Sequence, residues 1–182
     1  MNWRAKKNPI ETAYVLETER LALRHFSLQD DRFLFELLND PNWIKYIGDR
    51  GIKSRRNARD YIRKILLKRY QELGYTLYLV ERRDDNTFLG MCGLVKRDFL
   101  PYPDVGYALL SKFVGNGYAL EACRAVLQYS QDQLQLSTVA AITLNDNIRS
   151  VRLLANLGFK YQGQIPTEES EEHLALYYCQ LD

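Results

Sequence analysis

The segment Asp104-Val-Gly-Tyr-Ala-Leu-Leu-Ser-Lys-Phe-Val-Gly-Asn-Gly-Tyr-Ala-Leu-Glu-Ala122 changes periodicity partway along its length. Residues 104–110 read as a short, largely apolar strand. Gly115 and Gly117 then interrupt the pattern, and a long helix is predicted from there to about residue 134. The first N–H groups of a helix lack internal partners and carry partial positive charge. Glycine lets such a backbone come close to a ligand. A strand, a glycine loop and a helix in that order therefore form an anion cradle suited to a pyrophosphate. It is not a Walker loop, because no Gly-Lys-Ser/Thr follows. Nor is it a dinucleotide fingerprint, since the third glycine and an acidic ribose ligand after a short βαβ unit are absent.

On the C-terminal side, residues 139–144 read as a short strand, 147–157 as a helix closed by Gly158, and 159–165 and 173–181 as the last two strands. On the N-terminal side, Leu21 and Leu23 alternate with Arg20, Ala22 and Arg24, as in a strand. Ser27 and Asp30 make a capping box for a helix carrying Phe33, Leu34, Leu37 and Leu38, and Asn39-Asp40-Pro41 ends it. Ser54 caps a second helix to about Leu73, with Ala58, Ile62, Ile65, Leu66 and Tyr70 on its apolar face, and Gly74 stops it. Residues 75–81 and 87–95 flank Asp84-Asp85-Asn86 as a hairpin. The expected order is β-α-α-β-β-β-α-β-α-β-β. Interleaved helices and hairpins predict a mixed α/β sheet with helices on its faces.

The chain has 182 residues, 46% hydrophobic and 26% charged, which suits one globular domain. Such a domain buries about two-thirds of its unfolded surface and needs no staple. The three cysteines, Cys92, Cys123 and Cys179, are odd in number and widely spaced, so they are read as buried thiols rather than disulfides or a metal site. Two histidines, His25 and His173, argue against a zinc enzyme, and no metal is expected. Residues 1–15 are read as an N-terminal extension without signal or anchor character. Residues 16–182 are expected to form a single domain, and the protein to be cytoplasmic.

A second signature follows the glycine loop: Asn147-Ile-Arg-Ser-Val-Arg-Leu-Leu-Ala-Asn-Leu-Gly-Phe159. With these residues the sequence resembles the GNAT superfamily of acetyltransferases. Val114-Gly-Asn-Gly-Tyr-Ala119 is similar to its Q/R-x-x-G-x-G/A acyl-CoA loop, although Val114 stands where Gln or Arg is usual. Leu16-Glu-Thr-Glu-Arg-Leu-Ala-Leu-Arg24 and Tyr46-Ile-Gly-Asp-Arg-Gly51 resemble the ribosomal-protein N-terminal (RimJ/RimL-like) branch.

The resemblance implies a GNAT-like fold: a mixed, mostly antiparallel twisted sheet, a bulged and splayed central strand, and about four flanking helices. It implies acetyl-CoA as cosubstrate, with the pantetheine arm on the backbone of Leu109 and Leu110. The pyrophosphate would lie on Val114, Gly115, Asn116, Gly117, Tyr118 and Ala119, and Asn147 would touch the arm or fix the helix start. The implied reaction is direct attack of a neutral primary amine, on a protein N-terminus or a small molecule, on the thioester. The tyrosine acid that many relatives carry seven residues after the asparagine is replaced by Leu154. Ser150, one turn earlier, is the expected substitute, and Asp104 the expected base. Tyr102 and Glu168 are secondary candidates, while Tyr107 and Tyr118 are expected to pack in the core or against the cosubstrate.

Residues 45–69 are rich in Lys and Arg, which predicts an acidic acceptor or carrier. A solvated helix face with local ion pairs is the plainer reading of the same charges. A GNAT-like acyl-CoA-binding sensor with little catalysis is the alternative to an enzyme. A nucleic-acid module ranks last, for want of a reader motif, and no direct nucleic-acid contact is expected. No membrane partner is expected, and the chain is read as a monomer or homodimer.

Overall fold

Alternating apolar residues resolve into one eight-stranded sheet, ordered β1-β2-β3-β4-β5-β6-β8-β7. The computed structural model describes residues 13–166 and 173–181. The strands are β1 (Tyr14–Glu17), β2 (Leu21–Arg24), β3 (Leu77–Arg82), β4 (Phe88–Val95), β5 (Asp104–Leu109), β6 (Thr138–Leu144), β7 (Lys160–Pro166) and β8 (His173–Gln180). All neighbours pair antiparallel except β5 and β6. Parallel strands need a crossover connection. Here it is the helix that leaves the glycine loop, α5 (Tyr118–Asp132). The mixed, mostly antiparallel sheet is the one expected.

Helices cover both faces. On one lie α5 and α6 (Ile148–Asn156), over Tyr78, Val80, Cys92, Leu94 and Val105. On the other lie α1 (Asp31–Leu38), α2 (Pro41–Tyr46) and a bent helix over Leu77, Leu79, Met91, Val95 and Ala108. The bent helix is α3 (Arg55–Tyr61), a π-helical segment (Ile62–Leu67) and α4 (Lys68–Leu73) in series. Ser54 accepts from the Asn57 N–H at its start, and left-handed Gly74 ends it, as the sequence predicts. All three cysteines are buried free thiols.

Two elements differ from the expectation. The 15/16 boundary falls inside β1, which pairs with β2, so Tyr14 and Val15 belong to the sheet. Asp40-Pro41 ends α1 and also starts α2. The Asp40 carboxylate accepts from the Asn42 N–H, and Pro41 occupies the first turn, where its missing N–H has no cost.

The predicted capping box is present, but its acid does more than cap. Asp30 accepts from the Ser27 N–H at 2.7 Å and takes both arms of the Arg24 guanidinium at 2.9 Å. Glu81 lies 3.5 Å from the same guanidinium. All three charges are buried, which ties β2, the turn before α1 and β3 into one unit. Removing one member of such a group leaves an undercompensated buried charge. Asp30→Ala is therefore expected to cost about 3 kcal/mol, seen as a lower urea midpoint at unchanged slope. An unchanged midpoint would show that the group adds nothing.

Candidate active site

β5 and β6 are registered at a single pair, Asp104 with Ala140. The Ala140 N–H reaches the Pro103 carbonyl at 2.8 Å. Beyond that point the two strands separate. β5 is fully paired on its other edge, from Val95–Asp104 to Gly90–Leu109, and the Leu110 N–H continues this ladder to the Leu89 carbonyl at 2.9 Å. Backbone groups along a strand point to alternate sides. Leu110, Ala108 and Gly106 thus face β4, while Tyr107 and Leu109 turn their N–H and C=O toward the gap. Such groups need a partner when covered.

The splay is as expected, with two corrections. The Leu110 N–H is committed to Leu89, so Tyr107 joins Leu109 as the exposed backbone instead. The register between β4 and β5 runs without a bulge.

The glycine loop lies at the wide end of the gap. Gly117 caps α5 with φ +79° and brings no side-chain acceptor. Glu121 makes the first helical hydrogen bond, to the Gly117 carbonyl, which leaves the N–H groups of Tyr118, Ala119 and Leu120 without an intrahelical partner. Gly115 has φ +92° and open space on its Cβ side. The Asn116 side chain folds back onto the Phe113 carbonyl at 3.1 Å. Asp40 holds the Ser111 N–H at 2.9 Å and its hydroxyl, fixing the chain between β5 and the loop. The first-turn amides of Tyr118, Ala119 and Leu120 adjoin the glycine loop, so Leu120 joins the amides that the motif singled out. A diphosphate suits this donor set, and an extended amide chain suits the strand gap.

Arg20 braces the loop, a role the sequence reading missed. Its Nη1 donates to the Asn116 carbonyl at 3.1 Å, and its guanidinium lies 4.7 Å from the Tyr118 ring centre. Glu121 accepts from Thr18, from the Arg20 N–H at 2.9 Å and from Arg20 Nε at 2.6 Å. Burial pushes the Glu121 carboxyl up, but these hydrogen bonds outweigh it and the net shift is downward. Tyr118 is therefore held by Arg20 at the loop while it packs against the edge of the α5-side core, as expected.

Three residues meet on the α5/α6 side of the gap. Asn147 caps α6, its Oδ1 accepting from the Ser150 N–H at 3.2 Å, so that oxygen is occupied by the helix start. Buried Ser150 is a neighbour of the Tyr107 phenol on this side, close enough to oppose the shift that burial gives that phenol. Burial pushes that phenol up to about 12, against the opposing effect of Ser150, so it stays protonated. Leu154, one turn further on, is sealed in the core. The alternation that puts Tyr107 on this face was legible in the sequence, but Ser150 as its neighbour was not.

Asp104 points to the opposite face, in phase with Ala108 and Leu110 of the α1–α4 core. It is 2% exposed and bound to Arg97 Nε at 3.0 Å. Burial raises its carboxyl, and Arg97 opposes the shift. Tyr102 stacks edge-on against Tyr178, and Glu168 lies outside the described residues. Much of the basic strip is occupied by ion pairs: Arg55 and Arg59 with buried Asp31, Arg63 and Lys64 with Asp60, Lys68 with Glu72. The acidic-acceptor expectation loses those five cations.

The profile of the acetyltransferase (GNAT) domain matches residues 20–160. The Bacillus subtilis (strain 168) protein YkkB is 33% identical over 155 residues, covering 82% of this chain and 87% of that one. The N-acetyltransferase YoaA of the same strain is 30% identical over 152 residues, covering 82% and 84%. Among solved structures, RimL, a ribosomal L7/L12 α-N-protein acetyltransferase in complex with coenzyme A, superposes with a TM-score of 0.79. It is 18% identical, with 93% of this chain and 99% of that chain covered.

Glu121→Gln removes the charge that holds Arg20 at the loop. It is expected to cost about 1 kcal/mol at neutral pH, discounted for the exposed arginine. An acid lowered on folding stabilises above its unfolded value and loses that contribution as the pH falls through its folded one. The difference from the parent should therefore close as the pH drops below 4.5, the ordinary value. Urea titrations at several pH values measure it, and a pH-independent difference would refute this account.

Proposed function

The chain belongs to the GNAT family of acetyltransferases, and from that premise we propose that it binds acetyl-CoA in the β5–β6 gap and transfers the acetyl group to a primary amine within a ternary complex. The observation that carries the reading is the gap itself: one registered parallel pair, then free backbone groups, with unpartnered helix N–H groups at its wide end. The diphosphate lies on the amides from Gly115 to Leu120, including Asn116, Tyr118 and Ala119. The pantetheine arm runs along Tyr107 and Leu109 as an added strand. That RimL was solved with coenzyme A supports the same ligand here. The cosubstrate supplies an activated acyl group, and the cytoplasm is the compartment we assign.

This chain's own residues manage two protons. An alkylamine is mostly protonated at neutral pH, so a base must take a proton before or during attack. Asp104 fills that role, directly or through water, because its buried carboxylate is more basic than usual. The amine nitrogen forms the new C–N bond, the C–S bond breaks, and the thiolate accepts a proton. Ser150 is the donor, backed by the protonated phenol of Tyr107. Acid and base thus stand on opposite faces of the sheet, with the gap between them.

Calorimetric titration with acetyl-CoA followed by thiol release on an amine panel tests the reading. Heat with release is expected, and heat without release on any amine would favour an acyl-CoA sensor. Ser150→Ala and Tyr107→Phe should each lower kcat about 10²-fold with little change in the affinity for acetyl-CoA. The double variant should be no slower than the worse single one, because groups acting as a unit are not additive. Multiplying effects would mean that Tyr107 acts separately from Ser150.

A further inference from the structure

Asp104 is shut off from solvent by a cation that is itself open to solvent. Arg69 of α4 and Lys96, Arg97, Asp98 and Phe99 of the β4–β5 loop line an open bowl of about 530 Å³. The Arg97 side chain is 31% exposed, whereas its partner Asp104 is 2% exposed. One hydrogen bond, from Nε, joins Arg97 to Asp104, and the two Nη groups are the part of the fork suited to a bidentate anion. The groups facing Asp104 are Arg97, Arg69 and Tyr75. Lys96 donates to a neutral carbonyl, that of Leu100, and pairs with no carboxylate among the described residues. The bowl therefore carries three cations against one acid, Asp98. Phe99, 55% exposed, gives it an apolar wall.

We propose that the acceptor is an amine carrying a second, anionic group, and that this group engages Arg97, Arg69 and Lys96 and so frees Asp104 to take the amine's proton. The inference rests on the acetyltransferase reading and adds to it the substrate class and the trigger for the base. Burial makes the Asp104 carboxylate more basic than usual, and the ion pair with Arg97 limits that gain. Sharing the guanidinium with a second anion weakens that restraint, so the carboxylate reaches its full basicity only when a matching substrate is seated. Recognition and base strength are then one event. Arg55, Arg59, Arg63, Lys64 and Lys68 of the basic helix strip are less suited to this purpose, because they are tied to Asp31, Asp60 and Glu72, whereas Arg69 at the end of the strip lines the bowl.

Matched probes test it: β-alanine against propylamine for a carboxylate, and phosphoethanolamine against ethanolamine for a phosphate. In thiol-release assays the anionic member of at least one pair should show a kcat/KM at least about tenfold higher, and the pair that does so identifies the anion. Arg97→Gln should bring that ratio to near one, and Arg69→Gln or Lys96→Gln should lower it several-fold. Arg97→Gln should also move the acidic limb of the pH–rate profile to higher pH, since the carboxyl loses its cation. A merely structural arginine would not shift that limb. Equal rates within both pairs, or a ratio untouched by Arg97→Gln and Arg69→Gln, would overturn the proposal. Calorimetry of β-alanine and phosphoethanolamine, with and without saturating coenzyme A, reads the bowl independently of turnover. Binding of neither overturns the proposal even where acetyl-CoA binds normally, whereas failure of acetyl-CoA itself to bind counts against the acetyltransferase reading.

Discussion

A parallel pairing that stops after one residue pair organises this protein. β5 is held along its full length by β4, and β6 along its full length by β8. Each strand is thus committed to its outer neighbour, and nothing draws the two together past Asp104 and Ala140. Phe113, just after β5, packs against both cores. The gap leaves backbone groups of Tyr107 and Leu109 without strand partners. An open edge of this kind is normally a liability. Covered by α5 and α6 on one face and by the α1–α4 layer on the other, it becomes a slot for one extended chain.

The wide end of the slot is polarised by the same chain path. The crossover that a parallel pair requires must begin there, so its helix N-terminus points at the slot entrance. Gly117 caps the helix without offering a side-chain acceptor, which keeps the amides available. An uncapped positive helix end beside Arg20 would repel that arginine. Glu121, in the first helical turn, removes the conflict by pairing with Arg20 and anchoring it beside the Asn116 carbonyl. The loop is thereby shaped before any anion arrives, and little ordering cost remains for binding.

What was legible in the sequence is what backbone chemistry dictates locally. Ser54 and Gly74 bracket the bent helix, and Gly115 and Gly117 mark the loop, because caps and left-handed turns demand particular residues. Tyr14–Glu17 was not legible, since a four-residue strand with Val15 and Leu16 adjacent lacks alternation. α2 was hidden because Asp40-Pro41 satisfies the signals for both a stop and a start. The pairing of the basic strip was legible only in part, for a different reason. Asp31, which binds Arg55 and Arg59, lies 24 residues from Arg55, and no local pattern joins them. The same holds for Asp104: a strand-end acid looks solvated until the β4–β5 loop folds Arg97 over it.

The two halves of the site therefore differ in kind. The proposed thioester half is built from main-chain amides, which any sequence with the right glycines can present, so the proposal does not depend on the usual residue at Val114. The proposed proton-handling half is built from side chains brought together across the fold, Ser150 with Tyr107 on one face and Asp104 with Arg97 on the other. In the proposed mechanism Leu154 does not empty the acid role, because the Tyr107 phenol approaches the same helix from the strand side. The proposed acid and base then lie on opposite faces, in different environments. Burial keeps the phenol protonated, while the rise that burial gives the Asp104 carboxyl is opposed by a neighbouring cation. Two groups proposed for opposite proton roles are thus set apart by the sheet that divides them.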